Sequence, residues 1–453
     1  MRPDSAPSMA GDEPSNVVPL PRAGSDVTAI PSEEAFAREF TSRHGDTARF
    51  NHTTGQWLLW DGTRYRPDQT RAAFEYVRRV LRQLGRGDRA LLKASAAAGV
   101  ERFAQSDEVH RLVQTDLDRD GMLLGTPGGT VDLRTGELFP ARREDLITKQ
   151  TSVAPIQADA PLWSAFLFEM CNGDLELVAF FQRWFGYCLT GRVTEHAFVF
   201  LYGPGGNGKS VLLNTIRSVL GGYATVTPIE TLTASKHERH PTELAALHGA
   251  RMVTSSETEA HHFFAEAKVK QLTGGDPVSA RFMRRDFFQF DPTFKITIAG
   301  NYHPGISGRD PAMMRRLLIV PLLVVPARPD KDLEAKLRAE HGAILSWLIE
   351  GALAWQRIGL SPPQAVSNAT RDYFDAQDTL GRWLDGNCDV GDGWYAPVAE
   401  LHQAFIRHQH EQGEGGPNPR EFGSEMKRRG FGSVAQRVDG KTAKVYRGIR
   451  MRP

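Results

Sequence analysis

The residues with the most chemistry in them stand together at positions 203–210, Gly203-Pro204-Gly205-Gly206-Asn207-Gly208-Lys209-Ser210, and fit the spacing G-x-x-x-x-G-K-[ST]. Glycines at this spacing let successive backbone N–H groups turn inward around a phosphate, and a helix that follows adds the positive end of its dipole. Lys209 is placed to reach the β- and γ-phosphates of a nucleotide, and Ser210 to hold Mg²⁺. The expected nucleotide contacts are Gly203, Pro204, Gly205, Gly206, Asn207, Gly208, Lys209, Ser210 and Val211. Their surroundings agree. Phe198-Val199-Phe200-Leu201-Tyr202 reads as a buried strand, and Val211, Leu212, Ile216, Val219 and Leu220 recur at helical spacing until Gly221-Gly222 stops the helix.

Hydrolysis asks for a carboxylate that holds Mg²⁺ or polarises water, and for a group that senses the γ-phosphate. The segment from Arg251 to Glu259 reads as a strand with Glu257 at its carboxyl end, the edge of an open α/β sheet where ligands gather; Glu259 is the reserve. The strand Lys295-Ile296-Thr297-Ile298-Ala299-Gly300 ends at Asn301, an uncharged group suited to positioning water. Arg315-Arg316 precede a strand, Leu317 to Val320. A cation where a helix leads into an edge strand is poorly placed for its own nucleotide and well placed for a neighbour's. Arg316 and Arg315 are both candidates, and for one of them the helix dipole alone is a sufficient account. Between Lys270 and Phe290, apolar runs flank Arg284-Arg285-Asp286, which predicts a hairpin with a basic tip able to grip a phosphate backbone.

These groups need elements to hold them, and 453 residues with 40% hydrophobic content supply enough chain for several cores. No apolar run is long enough for a membrane span and no signal peptide is evident, so a cytoplasmic setting without membrane contact is expected. Cys171, Cys188 and Cys388 form no C-x-x-C pair and read as reduced core residues. The formal charge is only +1, but Arg420 to Pro453 carries ten basic residues against three acidic ones. That local excess marks a basic module, with Lys427, Arg428 and Arg429 as candidate DNA contacts.

In chain order, residues 1–30 are rich in Pro, Ser, Gly and Asp and read as a disordered tail. Ser32 caps an amphipathic stretch containing Phe36 and Phe40. Residues 71–84 read as a helix whose arginines form a solvated face in preference to a DNA contact. Asp116 to Gly121 resembles the start of a calcium loop, but Pro127 stands where a bidentate Glu is required. Gly128 to Leu138 predicts strand, turn and strand, and residues 161–194 predict apolar helices.

Taken together the motifs resemble the superfamily 3 helicases, and within them the phage and plasmid primase-helicase family related to the poxvirus nucleoside triphosphatases. The resemblance rests on Asn207 before the last loop glycine, Ser256-Glu257 at a strand end, Leu272-Thr273-Gly274-Gly275-Asp276, Asn301 followed by Pro304, and Arg315-Arg316 ahead of a strand. Trp60-Asp61-Gly62, Gly129 to Leu138, and Gly186 to Gly191 extend it upstream. It implies an α/β, AAA+-like P-loop NTPase core with an α+β N-terminal domain; after Gly381, helical stretches at Trp383-Leu384, Leu401 to Phe405 and Phe422 to Phe431, with two strand candidates around Asp439-Gly440 in the basic segment, read as a C-terminal winged helix. It also implies a homo-oligomeric, hexameric ring that uses ATP and Mg²⁺ between subunits to move single-stranded and forked DNA through its pore in a bacterial host cell. By position Lys209, Glu257, Asn301 and Arg316 carry the chemistry, while Lys270, Arg281, Arg284 and Arg285 look like pore contacts.

About 200 residues precede the loop and the expected N-terminal domain fills them, so a primase domain is not expected here and a separate primase is a candidate partner. The expected domains are the N-terminal domain at 31–160, a helical collar at 161–195, the ATPase core at 196–325, a helical lid at 326–380 and the basic module at 381–453. The alternative for that module is protein docking. The alternative for the whole chain is an ATP-dependent origin-binding or loading switch that assembles on DNA without unwinding it.

Overall fold

Ser32 sets the first helix. Its side chain accepts the Ala35 N–H at 3.3 Å, Glu33 and Glu34 complement the dipole, and α1 (Glu33–His44) buries Phe36, Ala37 and Phe40. The computed structural model describes residues 32–234, 242–257, 263–281, 283, 286–306, 310–413, 415–438 and 441–452; the expected tail at 1–30 lies outside them. They fall into two compact units. One takes the described residues to Leu59 and Pro67–Gln114, the other Trp60–Arg66 and the described residues from Thr115 onward.

In the first unit α1 is followed by β1 (Ala48–Asn51) and β2 (Gln56–Trp60), paired antiparallel. After β3 (Tyr65–Pro67), whose Tyr65 and Arg66 belong to the second unit, come α2 (Ala72–Leu84), α3 (Ala94–Ser106) and β4 (Arg111–Leu112), the last parallel to β1. Phe36, Phe40, Phe50, Trp57, Val77 and Val100 form the core, each contributing roughly 1.5–3 kcal/mol through burial. α2 turns its arginines outward, where Arg78 and Arg82 gather on Glu75, as a solvated face requires.

The second unit opens with an antiparallel meander, β5 (Leu123–Thr126), β6 (Gly129–Asp132) and β7 (Glu137–Phe139). Two apolar helices follow, α4 (Pro161–Met170) and α5 (Leu175–Leu189). The chain then lays down β8 (Phe198–Tyr202), α6 (Lys209–Leu220), β9 (Ala224–Val226), α7 (Thr242–Ala245) and β10 (Met252–Glu257). Next come α8 (Glu266–Gly274), the hairpin β11 (Val278–Arg281) and β12 (Phe287–Phe290), then β13 (Lys295–Gly300), α9 (Pro311–Met314) and β14 (Leu317–Pro321). The five strands of the main sheet run in the order β14-β8-β13-β10-β9, with every pairing parallel. The sequence announces four of them. The fifth, β9, has three residues and is not fully buried, so it lacks the apolar run that marks the others.

Because the strands are parallel, their carboxyl ends share one edge: Gly300 lies in register with Tyr202 on one side and with Glu257 on the other. That edge is held from behind. Trp184 of α5 donates its indole N–H to Thr297 of β13 at 3.0 Å. At the opposite edge Lys295 is buried, donates to Thr190 O, Thr293 O (3.2 Å) and Arg192 O (3.3 Å), and lies 4.7 Å over the Tyr187 ring. Burial pushes its pKa down to about 7, while the carbonyl dipoles and the ring face oppose that loss of the proton.

Beyond the sheet lie α10 (Leu333–Leu337), α11 (His341–Ile358) and α12 (Gln364–Gln377). α11 packs on α5 at two glycines. A β-carbon at Gly186 would lie 2.2 Å from Ala352 N, and one at Gly351 only 1.9 Å from Gln182 O, so the backbones meet where no side chain fits. The last segment runs α13 (Thr379–Asn387), β15 (Cys388–Pro397), α14 (Val398–Glu411), α15 (Pro419–Arg428), β16 (Ser433–Val438) and β17 (Lys441–Met451). Its sheet is antiparallel in the order β15-β17-β16, and Asn418 with Glu421 forms a capping box that starts α15. The helices and the hairpin are legible in the sequence; β15 is not, because its pairing with β17 is interrupted between Val390 and Tyr395. Among the described residues no helix is long and apolar enough to cross a membrane, and Cys171, Cys188 and Cys388 are buried free thiols.

Candidate functional site

The segment Gly203–Gly208 joins β8 to α6 in a conformation that only glycine tolerates at several points. Gly206 and Gly208 have φ of 78° and 88°, and a β-carbon at Gly203 would lie 1.9 Å from Leu322 O. Asn207 fixes the loop from inside, donating its amide to Leu322 O at 2.5 Å and accepting from Lys209 Nζ at 2.9 Å.

Lys209 is the first residue of α6 and is buried. Its ammonium donates to Gly203 O (2.8 Å), Pro204 O (2.9 Å), Asn207 Oδ1 and Asn301 Oδ1 (3.1 Å). Burial lowers its pKa, since no carboxylate stands among these four acceptors to offset the loss of hydration. The structure thus brings Lys209 and Asn301, 92 residues apart in sequence, onto one spot. Ser210 is exposed beside them, and Glu257 ends β10 on the same edge of the sheet. Glu259 lies outside the described residues.

A cavity of about 550 Å³ opens here, within the range that takes a small ligand. Gly205 to Val211, Ser256 and Asn301 line its polar side. Leu162, Phe166 and Met170 of α4, with Val324, Pro326 and Leu333, line its apolar side, and Arg328 and Asp330 stand at its border. Sequence reasoning passed over this second wall, because the apolar face of α4 has the density of a core helix. α4 lies against the loop there, since a β-carbon at Gly208 would come within 2.9 Å of the Phe166 ring. His303, two residues after Asn301, was also passed over. It stacks on Tyr202 with ring centroids 3.9 Å apart, and burial drives its pKa down to about 4, so it is neutral there.

Arg316 is far from this cavity. It immediately precedes Leu317, which pairs with Phe198 at the start of β8, whereas the loop follows Tyr202 at the other end. At ~3.3 Å per residue the length of the strand separates them by roughly 20 Å. The guanidinium donates Nη1 to Ala312 O at 3.1 Å, and Nε has no partner among the described residues. Arg315 is exposed.

The expected DNA contacts among the described residues lie on α8, on β11, and on and just after α15. Arg281 ends β11 with its guanidinium 4.9 Å over the Phe287 ring of β12; Arg284 and Arg285, expected from the sequence at a hairpin tip, lie outside the described residues. Lys270 is on α8, ion-paired with Asp310. On α15, Arg428 pairs with Glu425 at 2.9 Å, and Arg429, which follows the helix, pairs with both Glu425 and Asp378. Lys427 is exposed.

Residues 34–172 match the family described as D5 N terminal like, and residues 201–316 match a family described as of unknown function. "Putative helicase L207/L206" of Acanthamoeba polyphaga mimivirus is 29% identical over 302 residues, 59% of this chain and 31% of that protein. "Putative helicase 022R" of Frog virus 3 is 27% identical over 231 residues, 46% of this chain and 23% of that protein. The chain therefore aligns with about a third or less of either viral protein. Two apo structures of the NrS-1 C-terminal region superpose with TM-scores of 0.52 and 0.51 at 10% identity, covering 93% of this chain and all of theirs. That likeness is one of fold.

Proposed function

We propose that this chain, which belongs to the phage and viral primase-helicase family, is an ATP-driven DNA helicase of superfamily 3 that works as a hexameric ring on single-stranded and forked DNA. The observation that carries the reading is the division of the chemistry between two ends of one sheet. Lys209, Ser210, Asn301 and the end of β10 converge on a cavity at the carboxyl edge, and Arg316 stands at the other edge. A site so divided is completed by the arginine of a neighbouring subunit, as in finger-assisted phosphoryl transfer.

The cavity suits a nucleoside triphosphate. The glycine cradle admits phosphate oxygens where a β-carbon would fill the space, Lys209 supplies the cation, and the apolar wall from α4 and Val324 accommodates a base. Asn301 would orient the attacking water, and Lys209, now held on loop carbonyls and Asn301, would exchange those partners for phosphate oxygens. Ser210 and Glu257 are the residues that would hold Mg²⁺, which when bound neutralises charge on the phosphates. Residues 196–325 then form an AAA+-like ATPase core and 326–380 its lid. Residues 381–453 form a winged helix, a reading supported by the order α13-β15-α14-α15-β16-β17. In this reading the hairpin β11–β12 with Arg281, together with the sequence neighbours Arg284 and Arg285, contacts DNA, as do Lys427 and Arg428 of α15 and Arg429 just after it.

ATP hydrolysis measured with and without single-stranded DNA tests the reading. Turnover is expected to rise with DNA, and Glu257→Gln is expected to bind ATP and fail to hydrolyse it. A parent protein that hydrolyses no nucleotide would overturn the proposal; full turnover in Glu257→Gln would move the catalytic role to Glu259.

A further inference from the structure

Arg316 carries a long, flexible side chain, and a finger that serves another subunit is useful only if its guanidinium is held in one pose. A continuous series of direct contacts holds it. Asp310 caps α9, its Oδ1 accepting the Ala312 N–H at 2.9 Å, while its Oδ2 meets the ammonium of Lys270. Ala312 in turn accepts Nη1 of Arg316 at 3.1 Å. α8, which carries Lys270, also passes close by: a β-carbon at Gly274 would lie 3.8 Å from Nη2 of Arg316. Burial acts to raise the Asp310 carboxyl, but the Lys270 ammonium, the Ala312 N–H and the charge of Arg428 together hold it below the usual carboxylate range. Asp310 is therefore the anionic hub of this corner, and Lys270 is its partner. A lysine committed to DNA would present a free ammonium, whereas that of Lys270 lies between Asp310 and, at 3.9 Å, Glu266.

We infer that Lys270 and Asp310 are positioning residues for Arg316, setting the finger that one subunit offers to the next; the inference rests on the shared-site reading above. It assigns Lys270 to the finger in place of the DNA pore.

Lys270→Met and Asp310→Asn test it, the second keeping an oxygen for the α9 cap. Each is expected to lower ATP turnover ~10- to 100-fold, since displacing a reacting group by about 1 Å can cost ~10²-fold. Nucleotide affinity and single-stranded DNA affinity are expected to stay at parent values. Mixed oligomers supply a readout that a general loss of structure would not give. Lys270→Met mixed with Lys209→Ala should regain hydrolysis, because one subunit then brings an intact loop and the other an intact finger. Lys270→Met mixed with Arg316→Ala should regain none, both being impaired on the finger side. Parent-like turnover with weakened DNA binding would return Lys270 to the DNA surface, and recovery with Arg316→Ala would put its defect on the loop side; either overturns the inference. The reference mixture is Lys209→Ala with Arg316→Ala. If its subunits exchange and it stays silent, the shared site itself fails and the positioning role falls with it.

Discussion

Lys209→Ala is expected to lower ATP turnover by at least ~10²–10³-fold and to weaken nucleotide binding with it, while the protein stays folded. Each part of that expectation has a physical source. The ammonium lies inside the glycine cradle, on Gly203 O, Pro204 O and Asn207 Oδ1, and charge-assisted hydrogen bonds to phosphate are about twice as strong as neutral ones. Stability should behave differently. Without a triphosphate the ammonium is buried among neutral dipoles, which is why burial lowers its pKa, and removing a poorly compensated buried charge relieves a desolvation cost. A thermal midpoint equal to or above that of the parent, together with lost turnover, is the expected pair of results. A large fall in the midpoint would instead make Lys209 a structural part of the loop.

Arg316→Ala should be as damaging to turnover, ~10³-fold or more, and should leave nucleotide affinity intact. The asymmetry follows from the sheet. β14 and β8 run parallel in register from Leu317 with Phe198 to Pro321 with Tyr202, so Arg316 and the loop of one subunit are held at opposite ends of paired strands. No side chain spans that length, so in the proposed reading the guanidinium serves another subunit's nucleotide. Each of the two inactive variants should therefore rescue the other in mixed oligomers. Hydrolysis should return at interfaces that pair an intact Lys209 with an intact Arg316, and it should return more fully than unwinding, which needs several working interfaces in sequence. If Arg316→Ala instead weakened nucleotide binding in proportion to turnover, Arg315, exposed on the same turn, would be the residue to replace next.

How much of this could be read without coordinates depended on how local each signal was. β8 and β13 are apolar runs ended by glycine, and both lie where their composition puts them. The first helix follows from Ser32 and two glutamates, a signal confined to one turn. Asn301 was legible as the residue after a buried strand, although its meeting with Lys209 was a consequence of strand order that only parallel pairing supplies. The apolar wall of the cavity was not legible. Leu162, Phe166 and Met170 have helical spacing whether they face a core or a ligand, and only the placement of α4 beside Gly208 decides between the two. Lys270 shows the same limit for charge. The family resemblance makes it a pore contact, and the local sequence gives no sign of Asp310, the carboxylate 40 positions away that stands beside it.

Strand displacement on a forked DNA duplex tests the central claim most directly, that nucleotide hydrolysis at Lys209 moves this chain along DNA. The parent protein with ATP and Mg²⁺ should separate the strands, and Lys209→Ala and Arg316→Ala should each bind the fork and leave it paired. DNA-stimulated hydrolysis by the parent with no displacement on forks of either polarity would contradict the motor and leave a switch that uses ATP to assemble on DNA.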